Sequence, residues 1–440
     1  MRVRRMSRQS DSRQTSKRGF TLIELLVAIM AGLLVATAAV SFSRQATRFF
    51  AQESRIASAQ MSVLAGFQRL QADLARSAYM APTDMARDYA ANKICAPNYD
   101  TWPGSVKELT SIRISSATSK PDVVRVAGNL DSSEMFPVLA IAAKGTGHEV
   151  FLQTNNGPMT RAGFIPSASD RDAAFQAVFR PGRLIRILDD QGKYEYEIIK
   201  SSSYSASPVI TTVGRLPLRS EISMASGATS ASCGLSDGLG TQINPISVVE
   251  YRIANLSALS PYKDTIYHEN YRVADSDANR MELVRSEVLL LESSGSGSGG
   301  AGGAGGAGGS GSTLPSLTEQ PEIVAEFAVD LKVGVWTTST ASGGVVRGNL
   351  RYLAPGSAAG ATLPTVALAP VGGPTAIRAL DLRLVVRSRE ADRSETIDEV
   401  ANPLVSDGYM FRSKVSEGRW ARTRTLTATI SLMNHRGEAW

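Results

Sequence analysis

Residues 20–42 form an almost uninterrupted apolar run, and no other feature of the chain constrains its fold so strongly. At a rise of about 1.5 Å per residue, a helix of that length crosses a hydrocarbon core about 30 Å thick. One carboxylate, Glu24, interrupts the run near its start. A charge inside such a helix costs about 2.5 to 3.5 kcal/mol even on insertion scales, so Glu24 needs a partner and a purpose. Arg2, Arg4, Arg5, Arg8, Arg13, Lys17 and Arg18 precede the run, opposed by Asp11 alone. By the positive-inside tendency they hold this end in the cytoplasm, which puts the residues beyond about 43 across the membrane.

Charge counting removes a function class. The chain has 47 Lys plus Arg against 41 Asp plus Glu, a net +6. Residues 1–19 supply all of that excess, with seven basic residues and one acid, so the remainder is neutral. A neutral remainder has no global attraction for a phosphate backbone, and no nucleic-acid partner is expected. Arg383 and Arg387, set among apolar residues, are expected on the outer face of a strand.

Helical periodicity continues past the apolar run. Phe49, Ile56, Val63, Phe67, Leu70 and Leu74 recur at spacings of three, four or seven. The helix is therefore expected to run from Phe20 to near Ala78, a rod of about 90 Å. Its first half, apolar all round, suits lipid or a core of packed helices. Its second half carries one stripe, with too few heptads for a coiled coil, and suits docking against the chain's own domain.

Past Pro82 the signals turn to strands separated by Gly, Pro, Ser and Asn. Candidates are 122–126, a hairpin over 182–199 turning at Asp190-Gln191-Gly192, 246–253, 285–292, 322–336, 380–386 and 425–434. The fold class expected is α+β: one long N-terminal helix carrying a large antiparallel β-rich domain over residues 80–440. Residues 293–312, built only of Gly, Ser and Ala, are expected to be a flexible loop, and 355–374 a second surface loop.

Chemistry-bearing constellations are sparse. Cys95 and Cys233 form an even pair in loop-like stretches; an oxidising compartment would favour a disulfide worth about 4 to 5 kcal/mol, with two unpaired thiols as the alternative. Gly295 to Gly300 match a dinucleotide fingerprint formally, but glycine continues where a phosphate-binding helix should begin. Asp275-Ser276-Asp277-Ala278-Asn279 opens like a calcium loop, yet Arg280 and Ser286 stand where Gly and Glu are required. His148, His268 and His435 show no ligand spacing, and no nucleophile motif accompanies them. The expectation is a protein without cofactor, metal or enzymatic activity.

The stretch Arg18-Gly19-Phe20-Thr21-Leu22-Ile23-Glu24-Leu25-Leu26 resembles the type IV prepilin signature. That resemblance implies cleavage by a prepilin peptidase between Gly19 and Phe20, and N-methylation of Phe20. It implies also that Glu24, fifth in the mature chain, pairs with a neighbouring subunit's amino terminus during assembly. Competing readings are a secretory signal cut after Ala36-Thr37-Ala38, and a plain anchor with an incidental Glu24. The organisation expected is a cleaved basic leader (1–19), a transmembrane and assembly half-helix (20–43), an amphipathic half-helix (44–79) and the β-rich domain.

Residues 67–79, with Leu70, Asp73, Leu74 and Tyr79, are similar to the late-helix segment of PilW-like minor pilins, while Ala75, Ser77 and Ala78 depart from it. The 421 residues left after a 19-residue leader are bulky for a repeated shaft subunit, and Ser41 stands where major pilins often have proline. The implied role is a minor pilin in the initiating or tip complex of a type IV pilus, in the inner membrane with its domain in the periplasm and at the cell surface after assembly. Implied partners are the prepilin peptidase, other minor and major pilins, a tip adhesin and the inner membrane. The alternatives are a GspJ-like pseudopilin of type II secretion and a membrane-anchored adhesin or binding protein that never polymerises.

Overall fold

The structure is a computed structural model that describes residues 21–85, 109–117, 120–165, 169–221, 234–236, 238, 240–256, 259, 262, 280–290, 321–341, 344–353, 362–363, 376–388, 405–406, 409–410, 412–416 and 419–436. Its contacts group into two units, Met1–Ser58 and Ala59–Trp440. Gly19, Phe20, Cys95, Cys233, His268, the Asp275 to Asn279 motif and the glycine tract lie outside the described residues.

Helix α1 (Leu22–Ala75) stops three residues short of the expected end. Ala78 adopts φ +58°, and its N–H turns to the Ala127 carbonyl at 3.0 Å instead of continuing the helical ladder. In the first unit every side chain over 21–45 is exposed. Phe49, expected to open the docking stripe, is 61 % exposed in the first unit, and among the described side chains of α1 in the second unit Val63 is the first that is buried.

In chain order the strands begin with β1 (Ile112–Ala117), β2 (Lys120–Gly128), β3 (Phe136–Lys144) and β4 (Gly147–Leu152), followed by two short helices, α2 (Gly157–Arg161) and α3 (Arg171–Val178). Next come β5 (Leu184–Leu188), β6 (Tyr194–Tyr204), β7 (Pro208–Thr212), β8 (Gln242–Ala254) and β9 (Glu282–Glu287). The last group is β10 (Glu322–Ala325), β11 (Ala328–Ala341), β12 (Gly344–Leu353), β13 (Thr362–Leu363), β14 (Ile377–Arg387), β15 (Val405–Ser406), β16 (Tyr409–Met410), β17 (Arg412–Ser416) and β18 (Arg419–Ser431). The expected α+β class, a long apolar N-terminal helix followed by a mostly antiparallel β domain, is what the chain adopts.

Strand β8 organises the second unit because its two halves have different partners. Residues 242–246 pair with β3 and β5, and through β4, β7 and β6 these close a ring of six antiparallel strands. Residues 247–254 pair instead with β2 and β9, extending a sheet that continues to β1, β13 and β10. Pro245 sits at the changeover, between the last residue paired with β3 (Ile243) and the first paired with β2 (Ser247). A proline has no N–H for a ladder, so a gap in pairing is where a central strand tolerates one. The ring is filled by Phe136, Phe164, Phe175, Phe179 and Tyr204, with the helical insertion supplying three of the five.

A second sheet runs β12-β11-β14-β18-β17. Here the expected strand over 322–336 breaks in two, with β10 in the first sheet and β11 in the second. Phe327 makes the break at φ +54°, its ring between the guanidinium carbons of Arg280 (4.5 Å) and Arg387 (5.1 Å). Arg387, expected to face outward, is thereby 5 % exposed. The strand expected over 285–292 ends at Glu287, and the loop expected over 355–374 contains β13, which pairs with Ile114 and Ser115.

Val63, Phe67, Leu70 and Leu74 on the tail of α1 share one core with both sheets, including Ile112, Val124, Tyr251, Leu331, Leu382 and Ile430. Leu70 and Leu74 are wholly buried, each worth about 1.5 to 3 kcal/mol. Gly66 lets the helix approach the backbone of β10: a Cβ there would stand 1.9 Å from the Val324 carbonyl oxygen.

Candidate functional site at the start of the helix

The first turn of α1 is the only place where the apolar run carries a charge, and the structure gives that charge a local role. Thr21 precedes the helix, and its N–H and hydroxyl both donate to Glu24 Oε2 at 3.1 Å. In return the Glu24 N–H donates to Thr21 Oγ1 at 3.3 Å. This reciprocal pattern is a capping box, which satisfies backbone donors that the first turn leaves without helical partners. Within hydrocarbon such donors cost several kcal/mol each when unsatisfied, so the box would matter more in a membrane than in water. The carboxylate also sits at the positive end of the helix dipole.

Both Thr21 contacts fall on Oε2, and among the described residues Glu24 Oε1 accepts no hydrogen bond. The second oxygen is thus open to a cation, while the first keeps the side chain in place. Thr21 was not singled out from the sequence as a partner, although the Thr-x-x-Glu spacing ahead of an apolar run is itself the signal. Beyond the cap, an 18-residue stretch within Leu22–Thr47 reaches a mean hydropathy of 2.5, and among the described residues this is the one segment long and apolar enough to cross a membrane. Leu22, Leu34, Val35 and Phe42 are each at least 70 % exposed.

Histidine and serine meet elsewhere, but in a structural arrangement. His435, 1 % exposed, places Nε2 3.0 Å from Ser77 Oγ and 3.2 Å from Ser111 Oγ. The Ser77 hydroxyl donates to the Ser111 carbonyl and the Ser111 hydroxyl to the Thr83 carbonyl. With both hydroxyl protons engaged, the ring donates to the serines and takes no proton from them. The unit ties the segment after β18 to the end of α1. His148, wholly buried, accepts the Leu216 N–H at Nδ1 (3.0 Å), which assigns the proton to Nε2 facing Glu221 at 3.0 Å. Burial pushes Glu197 and Glu282 up to about 7; among the described residues Glu197 accepts the N–H groups of Ile198 and Gly214. Among the described residues no cluster of three or more His, Cys, Asp or Glu side chains is placed to hold a metal.

No curated protein and no solved structure matches this chain. One family does match, and it covers the helix start and its leader: residues 14–40 fit the prokaryotic N-terminal methylation motif. The Gly19-Phe20 junction, Thr21 and Glu24 all fall within that match, which is consistent with a type IV prepilin-like N-terminal segment.

Proposed function

We propose that this chain is a non-enzymatic minor pilin, cut by a prepilin peptidase between Gly19 and Phe20, methylated at Phe20, and built into the initiating or tip complex of a type IV pilus. The observation that carries the reading is the position of Glu24 within the matched motif, with one carboxylate oxygen bound to Thr21 and the other open. An ammonium at Phe20 of a neighbouring subunit is the complementary cation, and in a low-dielectric setting a carboxylate is retained only where such a partner exists. Pairing of this kind would set the axial register of stacked helices. The β-rich unit, larger than a repeated shaft subunit needs, supports a place at the filament's end, in contact with other pilins and a tip adhesin. The PilW-like likeness of residues 67–79 belongs to the same proposal.

Glu24→Ala tests it. Cleavage should proceed, and the variant should be depleted from sheared filaments; wild-type levels there would refute the role given to the carboxylate. The motif is shared with pseudopilins of type II secretion, and loss of protein secretion in place of loss of pili on deletion would select that reading. Absence of cross-links from the apolar helix to any other pilin would select a membrane-anchored binding protein that does not polymerise.

A further inference from the structure

Six charged side chains of alternating sign run through the second unit, from the tail of α1 to the entry of β5. Asp73 on α1 accepts hydrogen bonds from Tyr251 Oη at 2.7 Å and Arg285 Nε at 2.8 Å. Arg285 Nη2 extends toward Asp131 Oδ1 at 3.9 Å. Asp131, in the turn after β2, pairs with Arg183 Nη2 at 2.7 Å and accepts the Ser247 hydroxyl at 2.8 Å. Arg183 continues to Glu287 on β9, which Arg180 also reaches at 2.9 Å. The side chains of Asp73, Arg183, Glu287 and Arg285 are between 3 and 12 % exposed. Arg69, 3.9 Å from Asp73, and Glu322, 3.7 Å from Arg285, flank these six, so four cations balance four anions.

Two details separate this arrangement from static cement. Arg285 Nη2 is buried with no hydrogen-bond partner, one small movement from a full pair with Asp131. Asp131 shares Arg183 with Glu287, which accepts from its Nε and Nη2, while its Nη1 donates to the carbonyls of Ala177 (2.9 Å) and Val178 (2.7 Å) at the end of α3. Burial works against the Arg285 charge, but Asp73, Tyr251 and Asp131 together hold it more firmly protonated than a free guanidinium.

We infer that these residues form a salt-bridge relay that reports displacement of the docked helix tail to the barrel. When Asp73 withdraws, Arg285 keeps the more distant and exposed Glu322 at 3.7 Å and closes on Asp131, because an interior charge short of partners is far costlier than a shared one. Asp131 then divides between two guanidiniums, Arg183 loosens, and the end of α3 with the start of β5 opens. The element biased at both ends is the position of Arg285 between two carboxylates. The inference stands on the second unit alone and does not depend on the proposed place in a filament.

Hydrogen exchange followed by mass spectrometry, on the full mature chain in detergent micelles, tests it. Asp73→Asn keeps the side chain's shape and removes its charge; exchange over 177–185 should rise about tenfold while β3, β4 and β7 keep their protection. Leu382→Ala, which weakens the same core from the second sheet without touching the helix tail or a charge, should leave 177–185 protected. The relay is overturned if Asp73→Asn leaves 177–185 unchanged, or if Leu382→Ala loosens it equally. Should Asp73→Asn fail to fold, Asp131→Asn decides: faster exchange over 177–185 with the tail of α1 still protected supports the relay, and unchanged exchange over 177–185 refutes it.

Discussion

Gly66 separates two opposing effects cleanly enough to predict a sign. In the interior of an isolated helix, Gly→Ala stabilises by about 1 kcal/mol. In this fold the added Cβ would lie 1.9 Å from the Val324 carbonyl oxygen and 2.7 Å from its carbon. A carbon–oxygen contact of about 3.3 Å is the usual limit, so helix and strand would have to part by more than about 1 Å. Neither side can yield by rotating a side chain, since both are backbone. Taking the upper end of the overpacking range, about 3 kcal/mol, and subtracting the helix-propensity gain leaves a net loss of about 2 kcal/mol. In a unit of this size that is a drop in Tm of about 2 to 3 °C. Denaturant and thermal unfolding of Gly66→Ala should be compared with Ala65→Gly, an exposed neighbour that should lose about 1 kcal/mol by propensity alone. Stabilisation by Gly66→Ala would refute the close approach of α1 to β10.

Glu197 gives a pH signature. Burial raises its folded-state value to about 7 from an ordinary 4.5, so its favourable contribution is full below about 4.5 and is lost as pH rises through about 7. Relative to Glu197→Gln, the wild type should therefore lose about 3 kcal/mol between pH 5 and pH 8, and a difference that stays flat across that range would contradict the burial. Phe327→Ala should cost about 3 kcal/mol by emptying the slot between Arg280 and Arg387. Phe327→Gly should be about 1 kcal/mol milder because glycine accepts the left-handed backbone, and the reverse order in denaturant melts would refute that strain. His435→Ala should destabilise by about 2 kcal/mol, as it leaves Ser77 and Ser111 short of a donor; unchanged stability would show that water replaces the ring.

The start of the helix was legible in the chain because each of its steps is local: a basic leader, a span of sufficient length, one acid at a defined offset. The strands were largely legible for the same reason, since alternation along 184–188, 194–198 and 380–386 needs no knowledge of partners. Partnership itself was not. Nothing in the apolar alternation of 242–254 tells that its first half closes a ring while its second half joins another sheet, though Pro245 marks the spot. The break at Phe327 was hidden because the period of two runs straight through it. Gly66 reads as a weakness in a helix until the Val324 carbonyl is seen beside it, and Arg387 reads as a surface cation until its stack on Phe327 is known. Thr21 was readable as a cap but was overshadowed by the stronger signal of Glu24.

The central claim is that the Gly19-Phe20 junction is a processing site that delivers Phe20 as a methylated amino terminus beside Glu24. Intact-mass and N-terminal peptide mass spectrometry of the protein purified from its own membranes measures this directly. The account predicts a chain that begins at N-methyl-Phe20, lacking residues 1–19. A chain that retains its leader, or begins after Ala38, would contradict it.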